Sequence, residues 1–231
     1  MVSPIRGCAA ALAALLIPAG ASAQDLSGEI DLLELHTDFD QTNLLIDATF
    51  DLRQGTRGFE VKATGNGDVG PSMDELQLQG LFLQELGPST ALMAGVRHDF
   101  RRGHDVTYAS VAVTHDFFDG LAGETFVYLS EHGDLTGSGQ LVADVPLSEG
   151  LRLEPRVELL WSAQEVPGEG LAAGLTQVSS SVRLRQDIAP GFDAYVGVIH
   201  DRLLFDTRTI ARSAGESPQA TRGVIGVGTQ F

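Results

Sequence analysis

The chain has 231 residues, with 31 acidic against 15 basic side chains and a formal net charge of −16. Such acidity excludes nucleic acid as a partner, because phosphates would be repelled. The single cysteine, Cys8, excludes a disulfide framework, and no stretch after the N-terminal segment approaches ~18 consecutive apolar residues, which excludes a helical membrane protein.

The first predicted element in chain order is an export signal. Arg6 supplies the charged start, Cys8 to Ile17 an apolar run, and Ala21-Ser22-Ala23 a small-residue cleavage site before Gln24. Residues 1-23 are expected to be removed, taking Cys8 with them, and residues 24-231 to form one domain.

No convincing helix follows. What recurs is an alternating segment of ~10 residues closed by turn residues, the pattern of membrane β-strands. Strands are predicted near Glu29-His36, Leu44-Leu52, Gly58-Thr64, Glu75-Gln84, Ala91-Asp99 and Val106-His115. They continue near Glu124-Glu131, Gly139-Val145, Leu151-Ser162, Leu175-Asp187, Ala194-Asp201 and Arg222-Phe231.

Side chains of a strand alternate between two faces. Leu44, Ile46, Ala48, Phe50 and Leu52 interleave with Asp47, Thr49 and Asp51; Val178, Val182 and Leu184 oppose Gln177, Ser179, Ser181, Arg183 and Arg185. From Thr107 to His115 both faces are mixed. The clearest case is "LRLEPRVELLW" (151-161), where Leu151, Leu153, Pro155, Val157, Leu159 and Trp161 share a face against Arg152, Glu154, Arg156 and Glu158. A proline removes a ladder donor, so a bulge or a broken pairing is expected at Pro155.

Loop lengths alternate too. Short turns such as "SEG" (148-150) and "APG" (189-191) are separated by longer loops such as "AQEVPGEGLAAG" (163-174) and "RLLFDTRTIARSAGESPQA" (202-220). An outer-membrane barrel has this arrangement, with tight turns facing the periplasm and long loops facing outside. Closure satisfies every backbone group where lipid offers no hydrogen bonds. The predicted fold is therefore all-β, an antiparallel transmembrane β-barrel of about twelve strands in the cell outer membrane. Its apolar faces meet lipid, with Trp161 near an aromatic girdle, and its polar faces line the lumen. The last strand ends on Phe231 with Thr229, Val227 and Ile225 before it at period two, which looks like the targeting signal of such barrels.

Six stretches, "GVRHDF" (95-100), "YLSEHGDLTG" (128-137), "LEPRVELLWSAQEVPGEGLAAGL" (153-175), "SSSVRLRQDIAPGFDAYVGV" (179-198), "ARSAGES" (211-217) and "GVGTQF" (226-231), resemble the copper resistance protein B family. The resemblance spans nearly all of the chain after about Ile30. It implies an outer-membrane barrel and a role in copper binding or sequestration and copper resistance, with copper ions, membrane lipid and periplasmic copper-handling proteins as partners. Family members commonly carry an N-terminal tract dense in Met, His and Asp, suited to both copper oxidation states. Here Gln24 to Gly28 runs almost directly into the first predicted strand, and Met73 and Met93 are the only methionines after the initiator.

His36, His98, His104, His132 and His200 fall near the long-loop ends of strands, and His115 toward the other side. Imidazole with carboxylate suits copper, zinc or nickel, and strand ends converge at a barrel rim. His98, Asp99, His132, Asp134, His200 and Asp201, which lie in or next to the family-like stretches, are the expected ligands; ordinary loop histidines are the alternative. Arg152, Glu154, Arg156, Glu158, Arg183 and Arg185 are expected to line the lumen, as a plug of ion pairs or as the charged wall of a pore. No positioned serine nucleophile is present, so catalysis is not expected. A small structural or porin-like barrel without metal function is the alternative to a copper protein.

Overall fold

The computed structural model describes residues 25–37, 42–68 and 74–231; the predicted signal segment and Met73 lie outside the described residues. The strands are β1 (Asp25–Thr37), β2 (Thr42–Gln54), β3 (Arg57–Asp68), β4 (Glu75–Gly87), β5 (Thr90–Arg101), β6 (Val106–Phe118) and β7 (Leu121–Ser130). After them come β8 (Leu135–Ala143), β9 (Val145–Ser148), β10 (Leu151–Ser162), β11 (Gly174–Ala189), β12 (Phe192–Leu203) and β13 (Gln219–Gln230). Each pairs antiparallel with its neighbours, and β1 pairs with β13 (Leu35 opposite Ile225), so the sheet closes. β8 and β9 lie along the same side of β10 and act as one interrupted strand, giving a closed barrel of 12 strands.

Pro155 sits at that interruption. On one side it is opposite Val182 of β11. On the other, pairing stops at Arg156 opposite Val142 and resumes at Leu153 opposite Val145. The missing proline N–H therefore falls where no ladder bond is needed, as the sequence predicts.

The faces are those of a membrane barrel. On β6, Val106, Tyr108, Ser110 and Ala112 are buried toward the interior, while Val111 and Val113 are exposed on the outer wall. This resolves the mixed pattern there. Val157 and Leu159 are likewise exposed, and Trp161 lies outside across Gly137, near the long-loop end. Apolar side chains facing outward around a closed sheet are stable only against lipid, so the barrel spans the outer membrane.

The interior is not uniformly polar. Leu81, Leu83, Met93, Ala112 and Phe126 form a buried apolar cluster inside β4 to β7. Two features depart from the expectation of strands and plain loops. β3 and β5 run on through Asp68 and Arg101, into stretches assigned to loops, and the segment 202-220 contains a helix, α1 (Phe205–Ser213). α1 docks on β11 below it through one face. Thr207 and Ala211 are buried, Thr207 Oγ1 accepts from Ala172 N–H at 3.0 Å, and Leu204 N–H donates to Thr176 O at 2.8 Å.

Candidate functional site

A layer of ion pairs crosses the lumen. Arg185 on β11 donates to Glu154 of β10 (2.7 Å), Asp31 of β1 (2.9 Å) and Asp193 of β12 (3.0 Å), and stacks on the Tyr195 ring at 4.7 Å. Arg156 bridges Glu154 and Asp31, both at 2.7 Å. Arg183 grips Glu34 through Nε (2.5 Å) and Nη2 (3.1 Å), and Glu34 also holds His36 at 2.7 Å. Inward glycines of β13 make room: a Cβ on Gly226 would lie 2.6 Å from the Tyr195 hydroxyl, and one on Gly228 would meet Arg185.

Charged groups in low dielectric are stable only when paired and hydrogen-bonded. Here each guanidinium has at least one carboxylate partner, so the layer is a plug. A cavity of about 740 Å³ opens on the long-loop side, and a second, also about 740 Å³, lies on the turn side. They share no lining residue. Arg185 (3% exposed) and Glu154 (6%) line neither, because they stand between the two. Of the residues expected in the lumen, Arg156, Glu158 and Arg183 line the outer cavity and Arg152 the inner one, where it pairs with Asp187 (2.7 Å) and Asp193 (2.8 Å).

The outer cavity is a blind vestibule. Its cations are matched: Lys62 with Glu124 and Glu60, Arg97 with Asp99, Arg101 with Asp99, Glu75 and Glu169. Arg97 also lies over the Tyr108 and Tyr128 rings at 5.0 and 4.7 Å. Asp47 and Glu158 line the same space with neither an ion pair nor a hydrogen bond among the described residues. The unmatched charge of the vestibule is therefore negative.

The six expected ligands do not converge. His98 faces outward beside Phe100 and hydrogen-bonds Thr107 (2.9 Å), while Asp99 points inward to Arg97 and Arg101. His200 faces outward and bonds Thr221 (2.7 Å), while Asp201 pairs with Arg222 at 2.6 Å. Adjacent strand residues point to opposite faces, which separates each His from its Asp. His132 and Asp134 sit together in the β7–β8 turn and line the mouth of the vestibule. Among the described residues, no three His, Asp, Glu or Cys side chains gather around one metal position.

Sequence reasoning missed Asp31 and Glu34 as the partners of Arg183 and Arg185. Glu34 and His36 alternate legibly, but Asp31 joins their face only through a bulge after Ile30, which alternation does not reveal.

A family model described as "Copper resistance protein B precursor (CopB)" matches residues 26–231. The chain is 28% identical over 158 residues to a copper resistance protein B homolog of Pseudomonas syringae pv. tomato, covering 68% of this chain and 54% of that protein. It is 33% identical over 147 residues to copper resistance protein B of Escherichia coli, covering 61% and 47%. The chain thus spans about half the length of the curated relatives it matches. Among solved structures, it is similar in fold to the NanC porin (TM-score 0.55, 9% identity) and the KdgM porin (TM-score 0.53, 12% identity). Each likeness covers 89% of this chain and 99% of the other.

Proposed function

This chain belongs to the copper resistance protein B family, and on that premise we propose that it serves copper resistance by binding or sequestering copper ions at the outward side of the outer membrane. The observation that carries the reading is the vestibule. It opens toward the long loops, the carboxylates of Asp47 and Glu158 stand in it without an ion pair among the described residues, and an ion-pair layer closes its floor. Such a space attracts cations and offers them no through path.

The activity is binding, without redox or hydrolytic turnover. The adjacent pairs His98-Asp99 and His200-Asp201 point to opposite faces, so neither forms a working dyad. Periplasmic copper-handling proteins are the proposed partners on the turn side.

The fold likeness to porins favours a second reading, a porin-like or structural barrel without metal function. The filled lumen weighs against a pore. Copper bound per folded barrel, measured separately for Cu(I) and Cu(II) with zinc as competitor, decides between them. Tight copper binding, with copper-sensitive growth of a strain lacking the protein, supports the first reading. Binding no better than zinc, with normal growth in copper, supports the second.

A further inference from the structure

Four of the six histidines have a ring nitrogen committed to a side-chain partner: His36 to Glu34, His98 to Thr107, His115 to Thr90 and His200 to Thr221. Among the described residues, His104 and His132 have no such hydrogen bond. These two are exposed on adjacent rim loops, with ring centroids 6.2 Å apart and planes inclined by 58°.

We propose that His104 and His132 form a two-imidazole site for a first-row transition-metal ion at the mouth of the vestibule. An imidazole nitrogen binds such an ion at about 2.0 Å, which puts the ion about 3.1 Å from the ring centre. Two rings on one ion therefore have centres at most about 6.3 Å apart, and closer when the ligands bend. The observed 6.2 Å is at the outer end of that reach and fits two rings placed nearly trans on one ion. Neutral imidazole favours copper, zinc and nickel over calcium and magnesium, which prefer oxygen.

The backbone on both sides is held. Glu131 N–H donates to Thr107 O (2.8 Å) and Thr107 N–H donates to Glu131 Oε1 (3.1 Å), joining the two loops. Ser130 Oγ accepts from the N–H groups of His132 (3.2 Å) and Asp134 (3.0 Å), and Asp105 Oδ1 accepts from Arg101 N–H (3.1 Å). The loops are therefore set before an ion arrives, so little ordering is left to be done on binding. Asp105, Glu131 and Asp134 flank the two imidazoles and favour a cation there. Water completes the coordination, leaving the ion exchangeable, as a point of capture at the entrance requires.

The site refines the copper reading but stands on its own geometry, and the test separates the two. Folded barrel in detergent is titrated with Cu(II), and with Zn(II) as competitor, near neutral pH. Electron paramagnetic resonance counts the nitrogens on copper. The native chain should show two imidazole nitrogens. His104→Ala and His132→Ala should each remove one and weaken binding about tenfold or more, since even loss of an outer-shell partner costs that much. His98→Ala and His200→Ala, on the outer wall, should change neither. Copper bound with an unaltered spectrum in His104→Ala and His132→Ala overturns the rim site and leaves copper binding standing. No copper bound by the native barrel overturns both.

Discussion

Arg183 on β11 and Glu34 on β1 form a bidentate ion pair across the barrel interior, between residues 149 positions apart in sequence. Glu34 is fully buried and Arg183 is 3% exposed. Two strands, β12 and β13, separate their own strands around the wall, so the pair spans the lumen and does not follow the ladder.

Removing one partner of such a pair leaves an uncompensated buried charge, at a cost of about 3–5 kcal/mol. Glu34→Ala should lower the unfolding free energy, read from urea titration of the barrel in lipid, by that amount, and the midpoint with it. Replacing both residues by Met should recover most of it. A midpoint equal to that of the native chain would mean that the pair is dispensable.

Arg185 holds the floor of the vestibule through three carboxylates. Arg185→Ala removes the side chain that, among the described residues, ties Glu154, Asp31 and Asp193 together, and should join the two cavities. In planar bilayers the native barrel should show no stable conductance and the variant a measurable one. Equal conductance in both would place any ion path elsewhere.

Asp47→Asn and Glu158→Gln each remove a vestibule carboxylate that has no ion pair among the described residues. Each should weaken Cu(II) accumulation by on the order of 1 kcal/mol at low salt, with the difference shrinking as salt screens it. Folding should be little affected, because neither side chain forms an ion pair or a hydrogen bond among the described residues. Metal titrations at two ionic strengths check this; identical binding by both variants and the native chain would remove the lumen from the account.

On β5 and β6, the outward rungs His98–Thr107 and Thr90–His115 lie eight residues apart along each strand, and each histidine stacks edge-on against a phenylalanine two residues on. At about 3.4 Å per residue and a tilt near 40°, they are about 20 Å apart along the membrane normal, close to the height of a barrel's apolar band. With Cys8 replaced, labels on His98→Cys and His115→Cys should report opposite interfaces in vesicles, and one on Val111→Cys the hydrocarbon centre. Quenching by depth-resolved lipids measures this, and a deep label at residue 98 would contradict the assignment.

The alternation of Leu151 to Trp161 was enough to read the strand, its two faces and the break at Pro155. Each of these depends only on neighbours in sequence, through the period of two and the missing proline N–H. Strand number and the alternation of short turns with long loops are legible for the same reason.

What the tertiary structure decided is everything that needs two distant places at once. Asp31 faces the lumen because a bulge shifts β1 by one residue. The docking of helix α1 is set where Thr207 finds Ala172, and the partners of Arg183 and Arg185 are chosen by closure of the barrel. The histidines show the division most clearly. His98, His132 and His200 look alike in their acidic sequence surroundings, yet only His132 reaches the rim. The other two stand on outward strand positions, where one step along the chain reverses the face. Local pattern sets which residues alternate, and the closed sheet sets which of them meet.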